Sequence, residues 1–319
     1  MLKIILRWGD HMTRKIAVIG MGNVGATAAH YIVACGFADD LVLIDTREEK
    51  VRADATDFED AMANLPYHTN ITVNDYSQLK DTDVIISALG NIKLQDNKND
   101  DRFAELPFTS KAVKSVAQKI KDSGFNGIIV DISNPVDVIT SMYQEITGLP
   151  KKHVIGTGTL LDSSRMKRAL AKELGIDPRS VSGYNLGEHG NSQFTAWSTV
   201  RVLGHPITEI ASQRNLDLNK LDKAAREGGF SVFHGKKYTN YGVATAAVRL
   251  ANTVISDART QLAVSNYREE LGTYLSYPAI VGRDGIIEQV QLDLTDEEKE
   301  KLQTSANFIK TKFAESMGK

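Results

Sequence analysis

Short, nearly continuous aliphatic runs alternate with amphipathic stretches through the first half of the chain. Residues 15–19, 41–44, 84–87, 128–132 and 154–155 are rich in Val, Ile and Leu, which predicts five buried strands. The intervening stretches repeat apolar residues at helical spacing, and strand alternating with helix predicts a doubly wound parallel sheet of the Rossmann type. Such a sheet is covered on both faces, which explains why its strands are apolar throughout instead of alternating. Ligands then gather at the carboxyl ends of the strands.

The pattern changes after about Gly156. Residues 194–202 read as a strand, and 274–281 and 286–292 read as an antiparallel pair joined by Gly282-Arg283-Asp284-Gly285. A last helix is predicted from Asp296, with Thr295 as its cap and Leu302, Ala306, Ile309, Phe313 and Met317 on one face. The expected organisation is a dinucleotide-binding α/β domain over residues 14–155 followed by an α+β substrate domain over 156–319, sharing a cleft. Residues 1–11, ahead of Met12, are expected to be an extension outside the fold.

Composition narrows the partners. The 319 residues carry 38 basic and 40 acidic side chains, a formal charge of -2, so no electrostatic argument favours nucleic acid or an anionic membrane. No apolar run reaches the roughly eighteen residues of a membrane span. The single cysteine, Cys35, excludes an intrachain disulfide framework and lies in a helical pattern where packing is its simplest role. A cytoplasmic protein is expected, whose partners are small molecules or copies of itself.

Directly after the first strand comes Gly20-Met21-Gly22-Asn23-Val24-Gly25, followed by the small-residue helical run ATAAHYIVACG. Glycines at these places let the backbone turn sharply and approach a pyrophosphate, whose charge would meet the helix amino terminus. Glycine triplets also occur in turns for purely structural reasons. The context adds weight: the second strand ends at Asp45, about twenty residues on, where a carboxylate accepts hydrogen bonds from a ribose. The alternative is a strand-end turn residue. Asp45 favours NAD over NADP by repelling a 2′-phosphate, although Arg47 beside it weakens that preference.

Moving a hydride to or from a secondary alcohol needs a base for its proton and cations for an adjoining carboxylate. His189 stands in Gly187-Glu188-His189-Gly190, where small neighbours would admit a substrate; the plain alternative is a surface histidine. Asp162 and Arg165 are three apart in TLLDSSR and share a helix face, as a catalytic pair or as a solvated salt bridge.

The chain resembles the L-lactate and malate dehydrogenase family from about Arg14 to its carboxyl terminus. The likeness is carried, in order, by IGMGNVG, Asp45, ISNPVDV around Asn134, GTGTLLDSSR, and GEHGNSQ around His189. Within the family, GNIKLQ and SGYNLGEHGNSQF resemble the L-2-hydroxyisocaproate dehydrogenases. The resemblance implies that His189 is the proton donor and acceptor, Asp162 holds its other ring nitrogen, and Arg165 pairs with the substrate carboxylate in two parallel hydrogen bonds. It also implies that Asn134 orients substrate and nicotinamide, that Thr239 lies near the reacting centre, and that Arg102 is a loop arginine closing over the substrate. NAD is the implied cofactor, and a homodimer or homotetramer the implied assembly.

Departures from the family refine the substrate. Malate dehydrogenases place an extra arginine early in the loop, where this chain has Asn91-Ile92-Lys93-Leu94-Gln95, so malate is disfavoured. The loop up to Arg102 is a few residues longer than in typical lactate dehydrogenases, which leaves open which of residues 92 to 95 faces the substrate. The expected substrates are 2-oxo acids with branched aliphatic or aromatic side chains, such as 2-oxoisocaproate, with pyruvate as the alternative. Activation by fructose bisphosphate is not expected, because Ser182 stands in the region where allosteric members carry a histidine. Two rival classes remain: a non-enzymatic NAD-binding regulator, which His189, Asp162 and Arg165 disfavour, and an NAD-dependent glycoside hydrolase, for which the metal-ligating cysteine and histidine are missing.

Overall fold

The computed structural model describes residues 13–95 and 103–318. Residues 1–12, which include the expected extension, and the 96–102 stretch with Arg102 lie outside the described residues, as does the Gln95 side chain.

Six parallel strands, β1 (Lys15–Ile19), β2 (Asp40–Ile44), β3 (Asn70–Val73), β4 (Val84–Ser87), β5 (Ile128–Asp131) and β6 (Val154–Gly156), form the main sheet. Helices α1 (Asn23–Cys35), α2 (Glu48–Met62), α3 (Leu106–Asp122) and α4 (Val136–Thr147) connect them. Successive β1 side chains enter different cores: Ile16 and Val18 face the α1, α2 side, and Ala17 and Ile19 the α3, α4 side. Double burial is the reason this strand carries no polar face.

β6 is followed by α5 (Leu160–Leu174), whose Met166 and Leu170 pack against β7 (Val181–Ser182), β10 (Arg201–Val202), α6 (Ile207–Arg214) and α7 (Leu218–Lys236) in a third core. Strand β8 (Asn185–Leu186) pairs with β9 (Phe194–Thr195), and β10 pairs with β7 and with β11 (His205–Pro206). After α8 (Tyr241–Ile255), the antiparallel strands β12 (Thr260–Arg268), β13 (Thr273–Gly282) and β14 (Gly285–Gln289) join the main sheet through β12 and β6. Among the described residues the sheet has nine strands in the order β14-β13-β12-β6-β5-β4-β1-β2-β3. The chain closes with α9 (Asp296–Met317); Thr295 accepts the Glu298 N–H, and Glu298 accepts the Thr295 N–H in return.

The five strands expected in the first half are present, as are the Gly282-to-Gly285 hairpin and the capped final helix. The 194–202 stretch is not one strand. Its middle is a single 3-10 turn, Trp197–Thr199, because Ser198 gives both its N–H and its hydroxyl to the Glu298 carboxylate at 3.1 and 2.6 Å and so leaves the ladder. Strands β3, β7, β8, β11 and β12 went unpredicted. Among the described residues no helix is long and apolar enough to cross a membrane.

Candidate active site

The carboxyl ends of β1, β2, β4 and β5 open into one cleft of about 1370 Å³, walled on its other side by α5, α7 and the start of α8. Its lining includes the β1–α1 loop, Asp45, Ile92, Lys93, Asn134, Arg165, His189, Phe233 and Thr239. A dinucleotide with a small acid needs a cleft at the upper end of ligand-site sizes, and this one has that size.

The β1–α1 loop is built on close backbone approach. Gly20 has φ +95°, and a Cβ there would lie 2.6 Å from the Ala88 carbonyl oxygen; a Cβ on Gly25 would lie 1.9 Å from that of Gly20. A side chain at Gly20 would strike the main chain after β4, and one at Gly25 would push α1 off the loop. Gly22 caps α1 with no side-chain hydrogen bond, and its Cβ position is clear of other atoms to 4 Å on the cleft side, beside Asn23 and Val24. This cradle of first-turn amides fits a pyrophosphate.

Asp45 follows β2 directly. Its Oδ2 accepts the Met21 N–H at 2.7 Å, and its Oδ1 accepts the Arg47 N–H at 2.8 Å. Burial opposes its ionisation, but Arg47 and the Met21 N–H outweigh burial and hold the carboxyl below its usual range. A ligand hydroxyl reaching this point would meet an ionised acceptor, and Arg47, bonded to Asp45 at 2.9 Å, stands at the same rim.

Deeper in the cleft, three predicted residues converge. His189 Nδ1 lies 2.6 Å from Asp162 Oδ2, and Arg165 donates to Asp162 Oδ1 at 2.9 Å. Asp162 is 5% exposed and sits in the first turn of α5, so one buried carboxylate holds both the imidazole and the guanidinium. With Nδ1–H committed to Asp162, Nε2 is left for a ligand. Asn134, before a cis peptide bond to Pro135 at the head of α4, and Thr239, before α8, complete the lining. Asn240, next to Thr239, donates to Thr27 of α1 at 2.9 Å, which ties the two walls together.

Between β4 and α3, the buried Glu105 accepts the Asn91 N–H and packs under Gly90, which ties the segment after β4 to the start of α3. Of the four residues left open by sequence, Ile92 and Lys93 line the cleft, whereas Leu94 is exposed away from the lining.

Two further residues had not been anticipated. Gly229 of α7 faces Arg165 so closely that a Cβ would lie 3.1 Å from the guanidinium carbon. The pair Gly228-Gly229 inside a helical run was the available signal, since glycine in a helix interior costs stability and asks for a reason. Asp137 reaches the main chain of His189 from α4, a contact for which no spacing gives warning. Among the described residues no group of three or more histidine, cysteine or acidic side chains could hold a metal ion.

This combination of glycine-cradled helix terminus, ribose carboxylate and buried His-Asp-Arg cluster is that of an NAD-binding α/β dehydrogenase. The chain belongs to the lactate/malate dehydrogenase family: residues 14–156 match its NAD-binding domain and residues 159–318 its alpha/beta C-terminal domain. It is 36% identical over 304 residues to L-lactate dehydrogenase 2 of Listeria monocytogenes, covering 93% of this chain and 97% of that protein. It is 37% identical over 307 residues to L-lactate dehydrogenase 3 of Bacillus thuringiensis, covering 93% and 96%. A Cryptosporidium parvum lactate dehydrogenase, solved with lactic acid and β-nicotinamide adenine dinucleotide, superposes with TM-score 0.90 at 29% identity, covering 96% of this chain and 99% of that one. The minor L-lactate dehydrogenase of Enterococcus mundtii, in its ligand-bound form, gives 0.88 at 31% identity, covering 94% and 97%. The protein is an NAD-dependent 2-hydroxy acid oxidoreductase.

Proposed function

We propose that the enzyme reduces 2-oxo acids to L-2-hydroxy acids, with His189 as the acid and base, and that it prefers side chains larger than methyl, branched aliphatic or aromatic, such as that of 2-oxoisocaproate. The observation that carries the chemistry is the single buried carboxylate of Asp162 joining His189 and Arg165 inside the cleft. Bound NADH supplies the hydride. Arg165 holds the substrate carboxylate with the donors that Asp162 leaves over, which fixes the carbonyl over His189. His189 then gives its Nε2 proton to the carbonyl oxygen, and Asp162 keeps the ring in the tautomer that allows it. Asn134 and Thr239 orient the reacting groups, and Arg102 polarises the carbonyl as its loop closes. Residues 14–155 serve the cofactor and 156–319 complete the substrate side.

The preference for a larger acid is supported by the cleft around Arg165, where Phe233 and Ile92 make the lining apolar and Gly229 lets α7 close on the guanidinium. The second reading, pyruvate as the main substrate, is favoured by the L-lactate dehydrogenases to which the chain is similar. Initial rates of NADH oxidation with 2-oxoisocaproate, phenylpyruvate, pyruvate and oxaloacetate decide between them. The proposal expects kcat/KM at least about tenfold higher for 2-oxoisocaproate or phenylpyruvate than for pyruvate, the worth of roughly one to two buried methylenes. Pyruvate as the best substrate would establish the second reading.

A further inference from the structure

Asp137 is an acid that the steps above do not use. It sits in the first turn of α4, 2% exposed, and its Oδ2 accepts the backbone N–H of His189 at 2.7 Å. A carboxylate buried this deeply is costly, and a fold keeps one where something else requires it. The groups that face Asp137 are Asp131 from β5, Glu188 and His189 from the loop after β8, and the Ser265 hydroxyl from β12. None is a lysine or an arginine. Glu188 is engaged elsewhere, its Oε2 accepting the Ser192 N–H and hydroxyl at 3.0 and 2.5 Å. Among these groups the only one that can carry positive charge is the imidazole of His189.

We propose that Asp137 is a positioning residue for the reaction: it fixes the main chain of His189 through the amide hydrogen bond and, by its charge, joins Asp162 in favouring the imidazolium that protonates the substrate. The inference rests on the acid and base role of His189. Asp162 acts on the ring at Nδ1, whereas Asp137 acts on the backbone that carries the ring, so the imidazole is held at two separate points. Burial drives the Asp137 carboxyl up to about 7 and the charge of Glu188 adds to this, while Ser265, the His189 N–H and the His189 charge draw it down. Asp137 therefore changes its ionisation in the neutral range in which the enzyme has to protonate a ketone.

The sign of the effect is fixed. Reduction needs protonated His189, so kcat/KM for the oxo acid falls as pH rises through a descending limb. Without the Asp137 charge the imidazolium is less favoured, and the limb moves to lower pH.

Asp137→Asn keeps an acceptor for the His189 N–H and removes the charge; Asp137→Ala removes both. The proposal expects the Asn variant to keep most of kcat at low pH with its limb about half a pH unit or more lower. It expects the Ala variant to lose kcat about tenfold or more, with NADH affinity, read from protein fluorescence, unchanged. A limb that stays in place in the Asn variant, or parallel losses of kcat and NADH affinity in both variants, would overturn it. The unaltered enzyme offers an independent reading if a variant does not fold. In protein labelled with ¹⁵N at histidine, the His189 amide proton should move with a midpoint distinct from that of its ring nitrogens; an amide that is flat or follows the ring alone overturns the proposal. Failure of the underlying assignment looks different, because His189→Ala would then keep its activity whatever Asp137 does.

Discussion

Replacing Asp162 by asparagine tests the cluster at the point where its parts meet. One carboxylate oxygen meets His189 Nδ1 at 2.6 Å and the other the Arg165 guanidinium at 2.9 Å, and the side chain is nearly excluded from water. A hydrogen bond to a charged group contributes about 1.5 to 3 kcal/mol, so neutralising both contacts costs on the order of 3 to 6 kcal/mol. At about 1.4 kcal/mol for each factor of ten, that is a loss of about two to four orders of magnitude in kcat/KM for the oxo acid. The loss should appear in both constants. Proton delivery suffers because an amide can donate to Nδ1 and select the wrong tautomer, and carboxylate binding suffers because Arg165 loses its anchor. Asp45 and the β1–α1 loop lie elsewhere in the cleft, so NADH affinity should not change. Stopped-flow NADH oxidation with saturating cofactor, set beside fluorescence titration of NADH, separates these terms. A loss smaller than about tenfold, or an equal loss of NADH affinity, would refute the claim that Asp162 organises both the imidazole and the guanidinium.

Three further outcomes are expected. Gly229→Ala places a methyl group against the Arg165 guanidinium, at a separation tighter than ordinary contact; because the carboxylate that Arg165 would hold is common to both acids, kcat/KM should fall about tenfold for 2-oxoisocaproate and for pyruvate alike, as initial rates with the two acids will show. Asp45→Ser removes the carboxylate that repels a 2′-phosphate and leaves Arg47 and Lys50 at the rim; the NADH to NADPH ratio of kcat/KM should drop by about tenfold or more, and an unchanged ratio would mean that Asp45 does not set the preference. Asp131 is fully buried and burial drives its carboxyl up to about 8. Its folded-state pKa thus lies above the unfolded one, so its contribution to stability is complete below about pH 4 and is lost as pH rises toward 8. Thermal unfolding of the Asp131→Asn variant should accordingly be flatter between pH 5 and 9 than that of the parent, and equal slopes would contradict this.

The parts of the fold legible in the sequence are those set by local pattern. Strands β1, β4 and β5 are unbroken aliphatic runs because both sheet faces are covered, and α9 announces itself through Thr295 and Glu298. β3 is short, at the sheet edge and only partly buried, so its NITV carries little apolar signal. β12 was obscured by polar residues that are buried. Asn266 donates to the Val264 and Tyr277 carbonyl oxygens at 2.8 Å, and Arg268 is covered by Tyr277 and paired with Glu270. Such partners are tertiary and leave no periodicity. The site divides in the same way. The glycine loop, Asp45, Asp162, Arg165 and His189 lie within motifs of recognisable order. Gly229 and Asp137 matter because α7 lies against α5 and because α4 runs beneath the His189 loop, arrangements that appear only when the chain is folded.

The role proposed for His189 is to move the proton in an NADH-dependent reduction of a 2-oxo acid. Its most direct test is single-turnover NADH oxidation by the parent enzyme and the His189→Ala variant, each saturated with NADH and offered the best 2-oxo acid. The account predicts that the variant binds NADH as the parent does and loses the chemical step by about a hundredfold to ten-thousandfold; a variant that turns over within a few-fold of the parent would contradict it.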